Sequence, residues 1–294
     1  MKIFYKYNMF KILTIFFVSF LSLLLFYVSK NIHVNAYGYI LKNELQLVLL
    51  VFRVMLVIVV PVILLTVIIA FYYRKSNIYS DYIPDWSHSY LLETVCWIIP
   101  IIIIFFLANL SWLTTHKLDP SKPLKVNFNK PIVIEVISLN WRWLFIYPYY
   151  KVATFNEISF PKNVPIHFKI TSQSIMNSFF IPNLGSQIYT MAGMQTDLYL
   201  IANTNGVYKG ISSNYSGSGF SNMKFKVCVQ DNIQSFNTWI QKIRSHHHVL
   251  FSKKQFLYLS RDSMKNYIQY FSYVDPFLFY KIKNMFNRLN DSNF

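Results

Sequence analysis

Three long apolar runs near the N-terminus, residues 12–28, 54–73 and 95–112, contain no charged side chain. The second and third runs each approach the roughly 20 apolar residues with which an α-helix crosses about 30 Å of hydrocarbon. Neither run shows the polar face of a helix packed on a soluble core. The sequence therefore predicts two transmembrane helices.

The first run follows Lys2, Lys6 and Lys11, and it predicts either a cleaved signal peptide or a retained membrane anchor. Both alternatives stay open, because the run is slightly longer than a usual secretory core and its best cleavage site, at residues 34–36, is weak. We expect no lipid attachment at this end, since no cysteine lies near the run.

Basic residues next to a span favour the cytoplasmic side. Arg74 and Lys75 follow the second run directly, so the connection to the third run is predicted to be cytoplasmic and everything after residue 112 external. Arg53, before the second run, is then expected at the outer interface, where a long side chain can reach the headgroups.

The net charge of +16 does not indicate a nucleic-acid partner, because the basic residues are scattered along the chain rather than clustered. Cys96 and Cys228 are predicted to lie in a span and in an external strand, so they do not form a disulfide framework. Three adjacent histidines, residues 246–248, cannot all face one ion from a helix and are interpreted as a solvated helix end.

From about residue 120 the chain consists of short segments rich in β-branched and aromatic residues, separated by Pro, Asn and Gly. This pattern predicts an all-β sandwich or barrel of about 110 residues. After residue 230 a helix is expected, with Asp231 as its N-cap. The predicted divisions are residues 1–45 (signal or anchor), 46–115 (two spans), 116–230 (external β-domain) and 231–294 (helical tail).

Several motifs in fixed order carry a family resemblance from about residue 46 onward. They are "WSHS" (86–89), "ETVCWIIP" (93–100), "TTHKLDPSKPL" (114–124), "NWRWLFIYP" (140–148), "ATFNEISFP" (153–161), "MNSFFIPNLGSQIYTMAGMQTDLYLIAN" (176–203) and "GISSNYSGSGFSNMKFK" (210–226). With them the chain resembles subunit II of the haem-copper terminal oxidases, and among these the cytochrome o type ubiquinol oxidases. The resemblance implies two membrane helices, a cupredoxin-like β-sandwich and a short α-helical C-terminal tail.

In relatives that oxidise cytochrome c, this domain holds a dinuclear copper centre. The resemblance places six residues of this chain at the ligand positions: Asn177, Ser212, Asn214, Ser216, Phe220 and Met223. Soft thiolates bridge the copper ions of such a centre, whereas a serine hydroxyl is not a bridging anion at neutral pH and phenylalanine cannot ligate. Only Met223 keeps a ligand's chemistry, so we expect no metal and no other cofactor in this chain.

Further residues take roles from the same resemblance. Glu93, at the cytoplasmic start of the third run, matches a glutamate at the mouth of the proton pathway into subunit I. The alternative is a carboxylate that stabilises a helix N-terminus. Trp141 and Trp143 are interpreted as packing and interface residues. Arg142 is expected on the opposite side of a strand, where it would pair with a carboxylate or propionate at the contact with subunit I.

The predicted function is that of a non-redox subunit of a proton-translocating complex that oxidises ubiquinol and reduces dioxygen to water. By resemblance, the haems and one copper ion lie in subunit I, and the partners are subunits I, III and IV together with membrane lipid. The predicted location is the bacterial cytoplasmic membrane with the β-domain on the periplasmic side. The alternatives are a membrane-anchored cupredoxin-like binding or assembly protein, a copper-bearing cytochrome c oxidase subunit, and an inactive remnant.

Overall fold

The computed structural model of the chain describes residues 27, 36–78, 87–124, 130–250, 253–260 and 267–291. The first apolar run, except Tyr27, lies outside the described residues, and so does the weak cleavage site at residues 34–35. The described part divides into two compact units, one of which is mainly helical and the other mainly β.

The helical unit contains two long helices, α1 (Tyr39–Tyr72) and α2 (Tyr90–Lys117). Both are long and apolar enough to cross a membrane, as predicted. Pro61 and Pro100 lie inside them and each removes one backbone donor, which neighbouring groups in a membrane protein can compensate.

Helix α1 begins before the predicted boundary at residue 46, because its first turn belongs to the β unit. Ile40 is 1% exposed within the core of that unit. Gly38, just before the helix, approaches the backbone of Leu184 so closely that a Cβ would lie 2.4 Å from the Leu184 carbonyl oxygen. Only glycine permits this approach.

Thirteen strands and three further α-helices are seen among the described residues of the β unit. The strands are β1 (Ile132–Ser138), β2 (Trp143–Tyr147), β3 (Val152–Phe155), β4 (Glu157–Pro161), β5 (Ile166–Ser172), β6 (Asn177–Phe180), β7 (Gln187–Thr190), β8 (Thr196–Leu200), β9 (Gly206–Ser212), β10 (Lys224–Gln230), β11 (Val249–Leu250), β12 (Gln269–Phe271) and β13 (Tyr273–Val274). The helices are α3 (Ile233–Arg244), α4 (Lys253–Leu259) and α5 (Leu278–Asp291).

Two sheets form the predicted sandwich. One sheet has the order β12-β3-β2-β1-β5-β8 and the other β4-β10-β9-β6-β7, while β11 and β13 form a separate pair. Strand pairs β1/β5 and β4/β10 are parallel, whereas the other pairs within the two large sheets are antiparallel. The core between the sheets is aromatic: the ring of Trp143 on β2 lies 5.4 Å from that of Phe179 on β6 and 5.6 Å from that of Phe225 on β10.

The tail after residue 230 contains the expected helices and also completes the sandwich. Strand β12 pairs with β3 at the edge of the first sheet. Leu278, Phe279 and Ile282 of α5 cover the outer face of that sheet in a second apolar cluster with Ile137 of β1. The prediction of a helical tail therefore missed three short strands, β11, β12 and β13.

The cap of helix α3 differs from the prediction by one residue. Asn232 is the N-cap, and its side-chain oxygen accepts a 2.8 Å hydrogen bond from the Ser235 backbone N–H. Asp231 instead accepts a 2.8 Å hydrogen bond from the Lys162 ammonium group. The prediction of Asp231 as the cap was wrong, because its carboxylate forms an ion pair with Lys162 instead.

Candidate functional site

Strands β6 and β9 bring together Asn177 and Ser212, the first two of the six residues at copper-ligand positions. Phe179 lies opposite Ser212 in the register of this antiparallel pair. The Ser212 hydroxyl donates a 3.3 Å hydrogen bond to the side-chain oxygen of Asn177, and the Asn177 amide nitrogen donates a 2.6 Å bond to the hydroxyl of Ser138. All three side chains are buried. A polar cluster on β1, β6 and β9 therefore occupies this end of the sandwich.

The loop between β9 and β10 closes beside the same cluster. The backbone N–H of Ser212 donates a 3.2 Å bond to the carbonyl of Met223, and the Met223 N–H donates to the carbonyl of Phe220. Met223 is 1% exposed, whereas Phe220 and Asn214 are partly exposed. The Asn214 amide nitrogen donates a 3.1 Å bond to the carbonyl of Met176. Backbone and amide hydrogen bonds thus maintain the shape of the loop.

Trp141 packs against the glycine-rich part of this loop. Its indole N–H donates a 3.1 Å bond to the carbonyl of Ser216. A Cβ added at Gly219 would lie 2.2 Å from the Cδ2 atom of this ring, so the ring fills the space that only glycine leaves. The hydroxyl of Ser216 is buried and has no hydrogen-bond partner among the described residues.

These residues do not fit a dinuclear copper centre. The structure groups Asn177, Ser212 and Met223, but the donors are an amide, a hydroxyl and one thioether, and the first two bind each other. Soft anionic sulfur is what holds copper in such a site. In the part of the chain that the structure describes, no group of three or more His, Cys, Asp or Glu side chains is placed to hold a metal ion.

The segment around Arg142 contradicts two of the interface predictions. Trp141 adopts a φ of 60°, so it lies in a turn before β2 and the expected strand alternation fails. Arg142 is 5% exposed, donates a 2.9 Å bond to the hydroxyl of Tyr267 and lies over that tyrosine ring at 4.8 Å. Trp143 is fully buried. Arg142 and Trp143 are therefore internal residues of this chain, which agrees with the packing role predicted for Trp143 and leaves Arg142 paired with Tyr267.

Glu93 belongs to the helical unit and lies in the first turn of α2. It is exposed, and its backbone N–H donates a 3.0 Å bond to the carbonyl of Ser89. This position suits both alternatives for its role, because an exposed carboxylate at a helix N-terminus is stabilised by the helix dipole and accessible to water.

Sequence reasoning missed two buried carboxylates in the β unit. Glu157 is 4% exposed, and its Oε1 atom accepts hydrogen bonds from the Trp239 indole (3.1 Å) and the Tyr270 hydroxyl (3.0 Å). Its Oε2 atom lies 3.4 Å from the Lys226 ammonium. Burial and the Glu157 charge raise the pKa of Tyr270, so the phenol stays a donor. The carboxylate thereby joins α3 and β12 to the sandwich.

Glu135 on β1 is the second missed carboxylate. It is 3% exposed, and its Oε2 atom has no hydrogen-bond partner among the described residues. Burial raises its pKa from 4.5 to about 7, a shift that the nearby Lys169 charge partly offsets. The sequence signal for Glu135 was a single acidic residue inside the apolar segment "IVIEVIS". A residue of this kind in a strand either points to solvent or is buried at a cost in free energy.

Comparison with known proteins supports a relationship along nearly the whole chain. A family model described as "Cytochrome C oxidase subunit II, periplasmic domain" matches residues 148–230, and one described as "COX Aromatic Rich Motif" matches residues 251–289. A protein of Buchnera aphidicola subsp. Schizaphis graminum, named cytochrome bo(3) ubiquinol oxidase subunit 2, is 47% identical over 90% of this chain and 93% of its own length. The chain belongs to the subunit 2 family of ubiquinol oxidases.

Other members of the subunit 2 family are similar to this chain to a comparable extent. The protein of that name from Buchnera aphidicola subsp. Baizongia pistaciae is 52% identical over 82% of this chain and 84% of its own length. The one from Pseudomonas aeruginosa is 46% identical over 88% of this chain and 77% of its own length. The predicted family and the predicted cupredoxin-like fold are confirmed, and the chain is a membrane-anchored oxidase subunit with a periplasmic β-domain.

Proposed function

We propose that this chain is the non-redox subunit II of a proton-translocating ubiquinol oxidase in the bacterial cytoplasmic membrane. The observation that carries the proposal is the contact between Asn177 and Ser212. In a chain of this family, the positions that would ligate copper form hydrogen bonds to each other instead. A domain built in this way cannot accept electrons from cytochrome c through a copper centre.

We assign two roles to the chain, which are structural support of the complex and a contribution to proton entry. Its two helices would pack against subunit I, with subunits III and IV completing the complex, and the β-domain would cover the periplasmic face. Quinol oxidation and oxygen reduction would take place at the haems and the single copper ion of subunit I. We keep the four predicted divisions of the chain, with the first turn of α1 reassigned to the β-domain.

Glu93 is the proposed entrance for protons on the cytoplasmic side. Its exposure in the first turn of α2 supports this role, because a carboxylate that collects protons from water must be reachable by water. Trp141 is the remaining candidate for an interface residue, since its ring is partly exposed whereas Arg142 and Trp143 are buried.

The proposal is tested by capturing the tagged chain from mildly solubilised membranes. We expect it to carry haem-bearing subunits and to consume oxygen when ubiquinol is added. A chain recovered alone and free of haem would contradict the oxidase assignment and would support the membrane-anchored binding or assembly protein. A haem-bearing complex that oxidises cytochrome c and not quinol would support the copper-bearing alternative.

A further inference from the structure

Arg53 is the only charged residue between positions 45 and 73 of helix α1. The side chain is partly buried, and its Nε atom is fully buried without a hydrogen-bond partner among the described residues. A guanidinium group carries five N–H donors and keeps its charge, so leaving it unpaired in an apolar setting is costly. An arginine in this position requires a hydrogen-bond acceptor, and its charge favours an anionic one.

On helix α1, no acidic residue lies within two helical turns of Arg53. Its neighbours one helical turn away on either side are Leu49, Leu50, Leu56 and Val57. Residues 1–118 contain four acidic residues, which are Glu44, Asp81, Asp85 and Glu93. Glu44 precedes Arg53 by nine residues, which places it on the opposite face of the helix. The other three lie at the cytoplasmic end of the helices or in the connection between them. Asp119, which follows α2 at its outer end, forms an ion pair with Lys122.

The depth of Arg53 follows from its distance to Arg74. The two arginines enclose residues 54–73, which contain no charge. At 1.5 Å per residue they lie about 31 Å apart along the helix axis, close to the thickness of the hydrocarbon core. With Arg74 at the cytoplasmic boundary, Arg53 lies at the outer boundary, where the phosphate groups of the outer leaflet are found.

The surroundings suit a lipid molecule as a whole. In the chain without its partner subunits, Phe52 and Val57 are 45% and 47% exposed beside Arg53. Phe52 and Val57 can contact acyl chains while the two Nη groups of the guanidinium bind the phosphate with two parallel hydrogen bonds. We propose that Arg53, Phe52 and Val57 form a binding site for the phosphodiester and upper acyl chains of an outer-leaflet glycerophospholipid. The site rests on the membrane orientation of the proposed function.

The test is native mass spectrometry of the complete complex, purified in mild detergent and exchanged into nanodiscs of deuterated dioleoyl phosphatidylethanolamine and phosphatidylglycerol. We expect Arg53→Leu to reduce retention of one deuterated phospholipid by about tenfold, the effect of losing one charge-assisted interaction. Arg53→Lys should retain it partly, because the charge remains but the two-pronged geometry is lost. Lys42→Leu, which removes an exposed charge from the same helix, should leave lipid retention unchanged.

Each other outcome overturns the site. Unchanged lipid retention in Arg53→Leu would show that Arg53 holds no lipid. Loss of a neighbouring subunit with the lipid still bound would show that Arg53 pairs with a carboxylate of a partner. A retained mass equal to inorganic phosphate would exclude a lipid. Failure of the proposed function is distinguishable, because the wild-type chain would then appear in the spectrum without haem-bearing subunits.

Discussion

The side chains of Ser212 and Asn177 are joined by a 3.3 Å hydrogen bond between two strands of the second sheet. Asn177 also donates to Ser138 on the opposite sheet, so one amide connects both layers of the sandwich. The residues at the ligand positions therefore stabilise the domain that copper would otherwise cross-link. Stability of this end of the domain should depend on the amide and not on a metal.

Replacement of Asn177 by alanine tests this dependence. The change leaves the buried hydroxyls of Ser138 and Ser212 without that partner, and we expect the free energy of unfolding to fall by about 1–3 kcal/mol. Urea unfolding of the purified chain measures the loss, with Ser218→Ala at an exposed loop position as the control. Chelators should not shift either midpoint. A chelator-dependent midpoint in the wild-type chain would contradict the account.

Glu157 offers a second test, because it accepts hydrogen bonds from both α3 and β12. Glu157→Ala leaves the donors Trp239 and Tyr270 without their acceptor, and we expect a loss of about 3 kcal/mol in unfolding free energy. Glu157→Gln keeps an acceptor oxygen and should cost clearly less. Urea unfolding followed by tryptophan fluorescence compares the two, and equal losses would show that the hydrogen bonds do not matter.

Glu135 predicts a pH dependence of stability. Its pKa is raised from 4.5 to about 7 in the folded chain, so folding is favoured while the carboxyl is protonated. Its stabilising effect is complete below pH 4.5, declines as the pH rises to about 7, and is absent above that value. Glu135→Gln stays neutral, and we expect it to be more stable than the wild type by up to about 3 kcal/mol at pH 8.

The comparison for Glu135 is made by urea unfolding at several pH values. The stability difference between variant and wild type should disappear below pH 4.5. The exposed surface variant Ser218→Ala should show the same pH profile as the wild type. A difference that is independent of pH would mean that packing, and not the charge of Glu135, causes the effect.

Glu93→Gln tests the proton-entry proposal. The amide cannot carry a proton, so we expect quinol-dependent oxygen uptake to fall by about tenfold, which corresponds to roughly 1.4 kcal/mol of added barrier. Haem content and subunit composition should not change, whereas Glu93→Asp should recover part of the turnover. Full activity in Glu93→Gln would leave the carboxylate with a structural role at the helix N-terminus.

The sequence alone predicted those helices and strands that are determined by neighbouring residues. The apolar runs of α1 and α2 and the alternating strands with Pro, Asn and Gly turns were recognised because hydrophobic periodicity is a property of neighbouring residues. The residues at the copper-ligand positions were also identified in advance. The structure adds the contact between two of them, Asn177 and Ser212, which are 35 residues apart in the sequence.

Contacts made by the tail could not be predicted in this way. Arg142 meets Tyr267 across 125 positions, and Glu157 meets Tyr270 across 113. No local pattern indicates such pairs, so Arg142 was assigned to an interface that its burial excludes. The left-handed backbone of Trp141 was missed for a related reason, because tertiary packing and not local preference fixes an unusual φ at a bulky residue.

The central claim, an oxidase subunit without its own copper, is tested most directly by the copper-to-haem ratio of the purified complex. We expect copper to match the one ion of subunit I, and the ratio to stay the same in Ser212→Ala and in Met223→Leu. Additional copper in the wild-type complex that disappears in either variant would contradict the account.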